Sequence, residues 1–203
     1  MPLNDAGRNA MLTGGLGNVV THAAIHTGDP STTGANEVTG GTYARQPITW
    51  NAAATGQRTQ SGALVFPIPA GVTGVHAGLW SALTVGTFYG WFPLGGFTPM
   101  PCTVTAADNL LVSKAHGLAN TNQVVVYDVM AAGLPTGLTE GTVYFVVSAL
   151  TDSFALAATS GGAAIDVTAD GELVVQRVLP EVFGAAGTLT IADATLVLDG
   201  RFV

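Results

Sequence analysis

Residues 62–94 read GALVFPIPAGVTGVHAGLWSALTVGTFYGWFPL, and this stretch decides the fold class. It contains three short runs rich in β-branched and aromatic residues, at 62–69, 73–83 and 87–94, and glycine-containing turns separate them. Strands at this spacing are typical of a sandwich or a barrel. The surrounding residues 59–107 carry no Asp, Glu, Lys or Arg, but glycines and prolines interrupt the apolar run too often for a membrane-spanning helix. We therefore expect strands and no membrane insertion.

The composition of the whole chain also favours an all-β protein. Its 203 residues include 27 Gly, 10 Pro and 26 Thr, whereas only 9% are charged, against about 25% in ordinary soluble domains. A hydrophobic content of 48% excludes intrinsic disorder. With one Lys, five Arg and a net charge of −7, we expect no binding to nucleic acid through its phosphates.

So little charge has a consequence for the surface. Soluble monomers keep charged surfaces that hold them apart. Here the outer faces of the predicted strands carry Thr, Ser, Ala and Gly, which are cheap to desolvate. This pattern predicts a component of an assembly, and a merely neutral surface is the alternative.

The N-terminal part alternates short elements with turns. Residues 2–12 are predicted to form a short helix with Asn4 or Asp5 as its cap, followed by glycines that end it. Residues 18–27 and 42–50 are predicted strands, and a proline within the second makes it an edge strand or forces a bulge.

The character of the sequence changes near residue 98 and changes back near residue 177. Residues 101–176 are predicted to form a small β module of about five to seven short strands, bounded by turn-forming residues. Residues 177–203 are again similar in composition to the first hundred residues, with two predicted strands joined at Ala192 and Asp193, and they are too few to fold alone. We therefore predict a discontinuous, jelly-roll-like β-sandwich formed by 1–100 plus 177–203, into which the module is inserted.

Motifs for chemistry are weak. His22 and His26 have a zinc-binding spacing for a helix, but no glutamate follows His22 and the segment favours a strand, so packing is the preferred role. Asp29, Asn36 and Glu37 place three oxygen ligands in one glycine-rich loop, which gives a calcium hypothesis beside the preferred role of loop-closing hydrogen bonds.

Nucleophilic catalysis has no sequence signature either. Cys102 is the only cysteine and has no neighbouring base, and no nucleophile elbow or phosphate-binding loop is present. We expect no enzymatic activity, no catalytic residues and no cofactor. Aromatic side chains belong mainly to the core, but six residues are candidates for contacts with partners: Tyr43, Arg45, Trp50, Trp80, Tyr89 and Trp91.

Four segments resemble a family of minor tail or tail-fibre proteins from phages that infect actinobacteria. They are MPLNDAGRNAML at the N-terminus, HTGDPSTTGANEVTGGTYARQPITW (26–50), VTGVHAGLWSALTVGTFYGWFPL (72–94) and PEVFGAAGTLTIADATLVL (180–198). Separately, residues 114–168 are similar to a small β module that recurs in phage structural proteins, with its H-G-L-A, L-P-x-G-L and T-S-G-G-A-A-I-D segments.

The resemblance implies a structural protein of the virion, assembled in the host cytoplasm, with other virion proteins as partners. We expect a homo-oligomer in the tail, at the tail tip or in a fibre. Its inserted module projects outward and either contacts the host surface or only thickens the particle. A capsid decoration protein is the alternative. An enzyme that degrades cell-envelope glycans, with Trp80, Tyr89 and Trp91 stacking on sugars, is a remote third hypothesis.

Overall fold

A computed structural model describes residues 4–128 and 133–197, and its strands confirm the all-β class. The described residues form two compact units. The first, here called the split unit, contains the residues up to Thr27, Thr32–Phe92 and the residues from Glu181 onward. The second, here called the barrel unit, contains Gly28–Ser31 and Pro93–Pro180.

The elements follow one another along the chain as short pieces. In chain order they are α1 (Asp5–Gly14), α2 (Leu16–Val19), β1 (His22–His26), β2 (Gln46–Pro47), β3 (Gln57–Thr59), β4 (Leu64–Ile68), β5 (Val72–Gly74), β6 (His76–Trp80), β7 (Phe88–Pro93), β8 (Met100–Thr105), a 3-10 turn (Ala106–Asp108), β9 (Leu110–Val112), β10 (Gln123–Asp128), β11 (Tyr144–Val147), β12 (Ser153–Ala157), β13 (Gly171–Val178), β14 (Glu181–Phe183), β15 (Gly187–Ile191) and β16 (Thr195–Val197).

The barrel unit is a closed six-stranded barrel. Its strands are ordered β10-β11-β12-β9-β8-β13, and β13 closes the ring by pairing antiparallel with β10. Alternate residues of each strand point inward, because side chains alternate across a strand. The inward residues form one apolar core that includes Leu111, Val124, Val146, Phe154 and Leu173, all without exposed surface. The barrel thus has its own core.

The split unit contains one larger sheet and three ribbons. The sheet has the order β2-β1-β6-β7, and β1 pairs with β6 in antiparallel register from His22 opposite Trp80 to His26 opposite His76. Each of the three C-terminal strands pairs with a strand that lies more than a hundred residues before it in the chain: β14 with β5, β15 with β4 and β16 with β3. The expected pairing of the C-terminal residues with the first part of the chain is therefore confirmed.

The N-terminal helix is confirmed, with Asn4 as its cap. The Asn4 side chain accepts a hydrogen bond from the Gly7 N–H at 2.9 Å, which satisfies one of the unpaired amides of the first turn. The helix ends at Gly14, and the Gly15 N–H donates to the Met11 carbonyl.

The strand predicted at 18–27 begins later than expected. Leu16–Val19 form a second helical turn, closed by a hydrogen bond from the Val20 N–H to the Leu16 carbonyl. Gly17 allows this turn, because a Cβ at that position would overlap the Leu12 carbonyl and the Arg58 side chain. Local packing thus outweighs the β propensity of the two valines.

The sheets are smaller than a jelly-roll-like sandwich implies. Among the described residues of the split unit, one sheet has four strands and the other three have two strands each. In the predicted strand 42–50 only Gln46 and Pro47 form a strand, at the edge of the sheet, and the proline has no N–H to donate to the ladder. Beyond it, the Ile48 N–H donates to the Thr21 carbonyl and Trp50 forms an isolated bridge with Gln60. The barrel unit consists of 93–180 with a short contribution from 28–31, whereas the sequence predicted a module with the boundaries 101–176.

We predict that Phe154→Ala lowers the free energy of unfolding by about 3–5 kcal/mol, because it leaves a cavity in the closed barrel. Urea unfolding followed by circular dichroism measures this loss. Val112→Ala is the control in the same barrel, since Val112 is 39% exposed and should cost below about 1 kcal/mol. Equal losses for the two variants would contradict the barrel core.

Candidate interaction surfaces

Arg45 has the most polar contacts among the predicted partner-binding residues. Its Nε and Nη2 donate to the carboxylate of Glu37 at 2.9 and 2.7 Å, and its Nη1 donates to the carbonyls of Ala82 and Val85 at 3.1 and 2.7 Å. The guanidinium lies 3.5 Å from the centre of the Trp80 ring. Arg45 therefore joins the loop after β1, its own segment before β2 and the turn between β6 and β7.

Tyr43 fastens the same loop to β1. Its hydroxyl oxygen accepts a hydrogen bond from the Ile25 N–H at 2.8 Å and lies 3.5 Å from a carboxylate oxygen of Glu37. Burial raises the pKa of Tyr43 well above its ordinary value, and the nearby Glu37 carboxylate raises it further. The phenol therefore stays neutral.

Trp80 is covered by the loop rather than offered to a partner. Trp80 is 7% exposed and packs against Phe88 with the ring centres 5.1 Å apart. Gly34, at φ +75°, brings the loop backbone against the Trp80 ring so closely that a Cβ would overlap the ring. The loop thus closes over Trp80 only because residue 34 has no side chain.

His26 has the packing role that the sequence favoured. It is fully buried, its Nδ1–H donates to the Ala35 carbonyl at 2.7 Å, and its Nε2 is buried without a hydrogen-bond partner. Burial lowers its pKa, so the ring is neutral at pH 7. His22 lies four positions before it on β1, roughly 13 Å away at strand spacing, which is too far for a shared zinc ion.

Two of the three proposed calcium ligands bind other groups of the chain. The Glu37 carboxylate binds Arg45, and the Asp29 carboxylate accepts a hydrogen bond from the Ser31 N–H at 2.7 Å. Asp29 also belongs to the barrel unit, whereas Asn36 and Glu37 belong to the split unit. Within the described ranges no three His, Cys, Asp or Glu residues are grouped so that they could hold a metal ion.

The remaining candidates differ in exposure. Trp50 is half-buried and its indole N–H donates to the Val20 carbonyl at 2.8 Å. Trp91 is half-buried and packs edge-on against His76 with the ring centres 4.5 Å apart. Tyr89, on β7, is 40% exposed. Of the six predicted contact residues, Tyr89 thus offers the most surface, while Arg45 and Trp80 are used inside the chain.

A surface that the sequence analysis did not single out lies on the ribbon of β4 and β15. All five residues of β4 are apolar, yet Leu64, Phe66 and Ile68 are buried while Val65 is 47% exposed. Val65 is paired with Thr190 of β15. A strand that is apolar at every position is typical of burial on both faces. In the single chain, however, the face of β4 that carries Val65 is exposed.

Comparison with known protein families relates the chain to phage fibres. A family model described as "Podophage GP4 fiber I protein gp80" matches residues 18–121, just over half of the chain. The chain belongs to this podophage fibre family. It is therefore a phage structural protein of the tail-fibre type and a component of the virion, which associates with other virion components. The match includes the Arg45 contacts and continues through β8 and β9.

Two further comparisons gave no match, one with curated proteins and one with solved structures. No helix in the described part of the chain is long and apolar enough to cross a membrane.

We predict that Arg45→Met lowers the free energy of unfolding by about 3–5 kcal/mol, because it leaves the Glu37 carboxylate without its cation in a partly buried site. Guanidinium unfolding measures the loss. Arg8→Met is the control, because the Asp5 carboxylate that it leaves without a cation is 56% exposed, so loss of this ion pair should cost at most about 1 kcal/mol. A loss for Arg45→Met no greater than that for Arg8→Met would contradict the central role of Arg45.

The stability of the split unit should depend on pH through His26. Because its folded-state pKa lies below the ordinary value of 6.5, the unfolded chain takes up the proton more readily. Stability is therefore complete above about pH 6.5 and falls as the pH drops below it. Burial is the largest cause; Glu37 opposes the shift and Arg45 adds to it.

Calorimetry between roughly pH 7.5 and 5.5 tests this dependence, because carboxylates with ordinary pKa values stay ionised there. The Tm should fall by roughly 2–4 °C for each 1 kcal/mol lost. His26→Asn keeps a donor for the Ala35 carbonyl and cannot titrate, so its Tm should change less over the same range. A wild-type Tm that stays constant or rises on acidification would contradict the prediction.

Proposed function

We propose that this chain is a non-enzymatic subunit of a phage tail fibre or tail tip, which assembles with copies of itself and with neighbouring virion proteins. Membership of the fibre family carries the proposal. It favours the tail over the capsid exterior. The aromatic residues of the glycan-degrading hypothesis give that alternative little support, since Trp80 is buried and Trp91 packs on His76.

The ribbon of β4 and β15 supports self-assembly. Its outward-facing positions include Val65, Thr188 and Thr190, which are exposed and uncharged. In the described residues, no third strand pairs with either strand of this ribbon. Unpaired strand edges beside a neutral face form a template for pairing with another chain. A second copy brings an identical neutral face, and burial of about 800 Å² per partner suffices for a stable contact.

Two other ribbons present the same kind of surface. Val182 on β14 is 75% exposed and Val197 on β16 is 61% exposed. Exposed valines on three separate ribbons allow several neighbours to pack at once, and several weak contacts in a symmetric particle combine into a strong assembly.

The barrel unit is proposed to be an inserted module that is displayed by the assembled split units and contacts the host surface. Its closed ring and complete core suit such a role, because a barrel without strand edges does not pair with neighbours. We propose that assembly takes place in the host cytoplasm, without nucleic acid as a partner.

The oligomeric state tests the proposal. Light scattering after size exclusion should give a multiple of 20.5 kDa for the purified chain. Val65→Glu introduces a charge into the ribbon face and should shift the population towards the monomer, with a Tm close to that of the wild type. Val85→Glu is the control, because Val85 is 85% exposed outside the ribbon.

A wild-type chain that remains a 20.5 kDa monomer at high concentration would contradict the proposed self-assembly. Equal dissociation by Val65→Glu and Val85→Glu would contradict the choice of the β4–β15 ribbon.

A further inference from the structure

The barrel unit has a cleft on its outer face. The cleft has a volume of about 640 Å³, within the range of small-molecule sites. It is lined by β8, by β13 and by the segment that runs from the end of β9 to His116. Pro101, Val112 and Val174 contribute apolar walls, while Lys114 and Glu172 contribute charges. The cleft lies wholly within one compact unit.

Lys114 is the only lysine of the chain, and its ammonium has no partner in the described ranges. The arginines of those ranges are engaged: Arg8 by Asp5, Arg45 by Glu37, Arg58 by the Asn51 carbonyl and Arg177 by the Phe97 ring. In a chain with so few charges, an unpaired cation that lines a cleft is available for an anion from outside the chain.

The backbone around Lys114 is held in place. The Ser113 N–H donates to the Asp152 carbonyl at 3.0 Å, and the Ala115 N–H donates to the Asp152 carboxylate at 2.8 Å. Ala115 itself has a φ of +51°, in the left-handed region that costs a non-glycine residue energy. Such a conformation persists only where its surroundings fix it, and here the two hydrogen bonds to Asp152 do so.

Glu172 stands on the opposite wall. Thr103 of β8 is paired with Glu172 of β13 on one side and with Val112 of β9 on the other. The flanking strands are therefore roughly 9.5 Å apart, at two strand spacings. Thr103 lies between these two strands, so a sugar-sized ring would lie over Thr103, with Glu172 on one side and the segment that carries Lys114 on the other. Like Lys114, Glu172 has no ion-pair partner in the described residues.

The other polar groups of the cleft point to binding and not to catalysis. Burial raises the pKa of the Cys102 thiol to about 11, so it is not a thiolate at neutral pH. His116 is 8% exposed; its Nδ1 accepts a hydrogen bond from the Leu118 N–H at 3.0 Å and its Nε2 lies 3.3 Å from the Ser153 carbonyl. Both ring nitrogens are thus engaged within the chain.

We propose that this cleft binds an acidic sugar, a single ring that carries one carboxylate. Its carboxylate accepts charge-assisted hydrogen bonds from the Lys114 ammonium. Its hydroxyls donate to the Glu172 carboxylate and exchange hydrogen bonds with Thr103. The C–H face of the ring covers Pro101 and Val112. A carboxylate side chain of a neighbouring protein would pair with Lys114 but has no hydroxyl to donate to Glu172.

Titration of the isotope-labelled full chain with sodium glucuronate, followed by amide NMR, tests the proposal. Glucuronate should shift the amides of Thr103, Val112 to His116 and Glu172 saturably at concentrations of roughly tens of millimolar or below. Lys114→Gln and Glu172→Gln should each weaken binding by about tenfold, and Lys114→Arg, which keeps the charge, should weaken it less. Glu181→Gln, outside the cleft, should bind as the wild type does.

Three results would overturn the proposal. The first is the absence of saturable shifts, and the second is equal glucuronate affinity for the wild type and Lys114→Gln. The third is an affinity for N-acetylglutamate that equals that for glucuronate, which would indicate a protein carboxylate as the natural occupant. The assignment to the fibre family rests on the sequence match and not on glucuronate binding. A negative titration would therefore leave that assignment unaffected.

Discussion

The guanidinium of Arg45 connects three segments of the split unit that lie between strands of the β2-β1-β6-β7 sheet. It binds the Glu37 carboxylate, two carbonyls of the β6–β7 turn and the face of Trp80. The loop that follows β1 otherwise contains many turn residues and little apolar surface. Without the cation, Glu37 would lie in a partly buried site with an uncompensated charge. This ion pair acts together with the hydrogen bonds of Tyr43 and His26 to hold the loop in order, and with it the cover over Trp80.

The low number of charged residues also determines the chemical character of the other surfaces. With 6 basic and 13 acidic residues among 203, most surfaces are composed of Thr, Gly, Ala and Val. On the β4–β15 ribbon this composition leaves a face that loses little free energy when water is removed, which suits the proposed assembly with copies of itself. In the barrel unit, the low number of charges leaves the Lys114 ammonium without an ion-pair partner in the described residues. Two walls of the cleft, β8 and β13, are strands of the closed ring, so the proposed binding would order little of their backbone.

Sequence patterns predicted the class of structure better than its connections. The strands within 62–94, the cap at Asn4 and the need of the C-terminal residues to pair with the first part of the chain could be predicted, because local propensity and segment length determine them. The closed ring of the barrel and the division of the split unit into small ribbons could not be predicted, because the choice of partner for each strand depends on residues far away in the sequence. Arg45 and Trp80 were assigned to a contact surface, since no local pattern reveals that a loop with Gly34 closes over them. The cleft was missed because Lys114 and Glu172 are 58 positions apart.

The most direct measurement of the central claim, that sister chains cover the neutral β faces of this protein in a fibre, is a cryo-electron reconstruction of the intact phage particle. We expect density for this chain in a fibre or at the tail tip, in several symmetric copies, with the exposed face of the β4–β15 ribbon buried against a neighbour. Copies distributed over the head shell, or isolated copies whose ribbons face solvent, would contradict it.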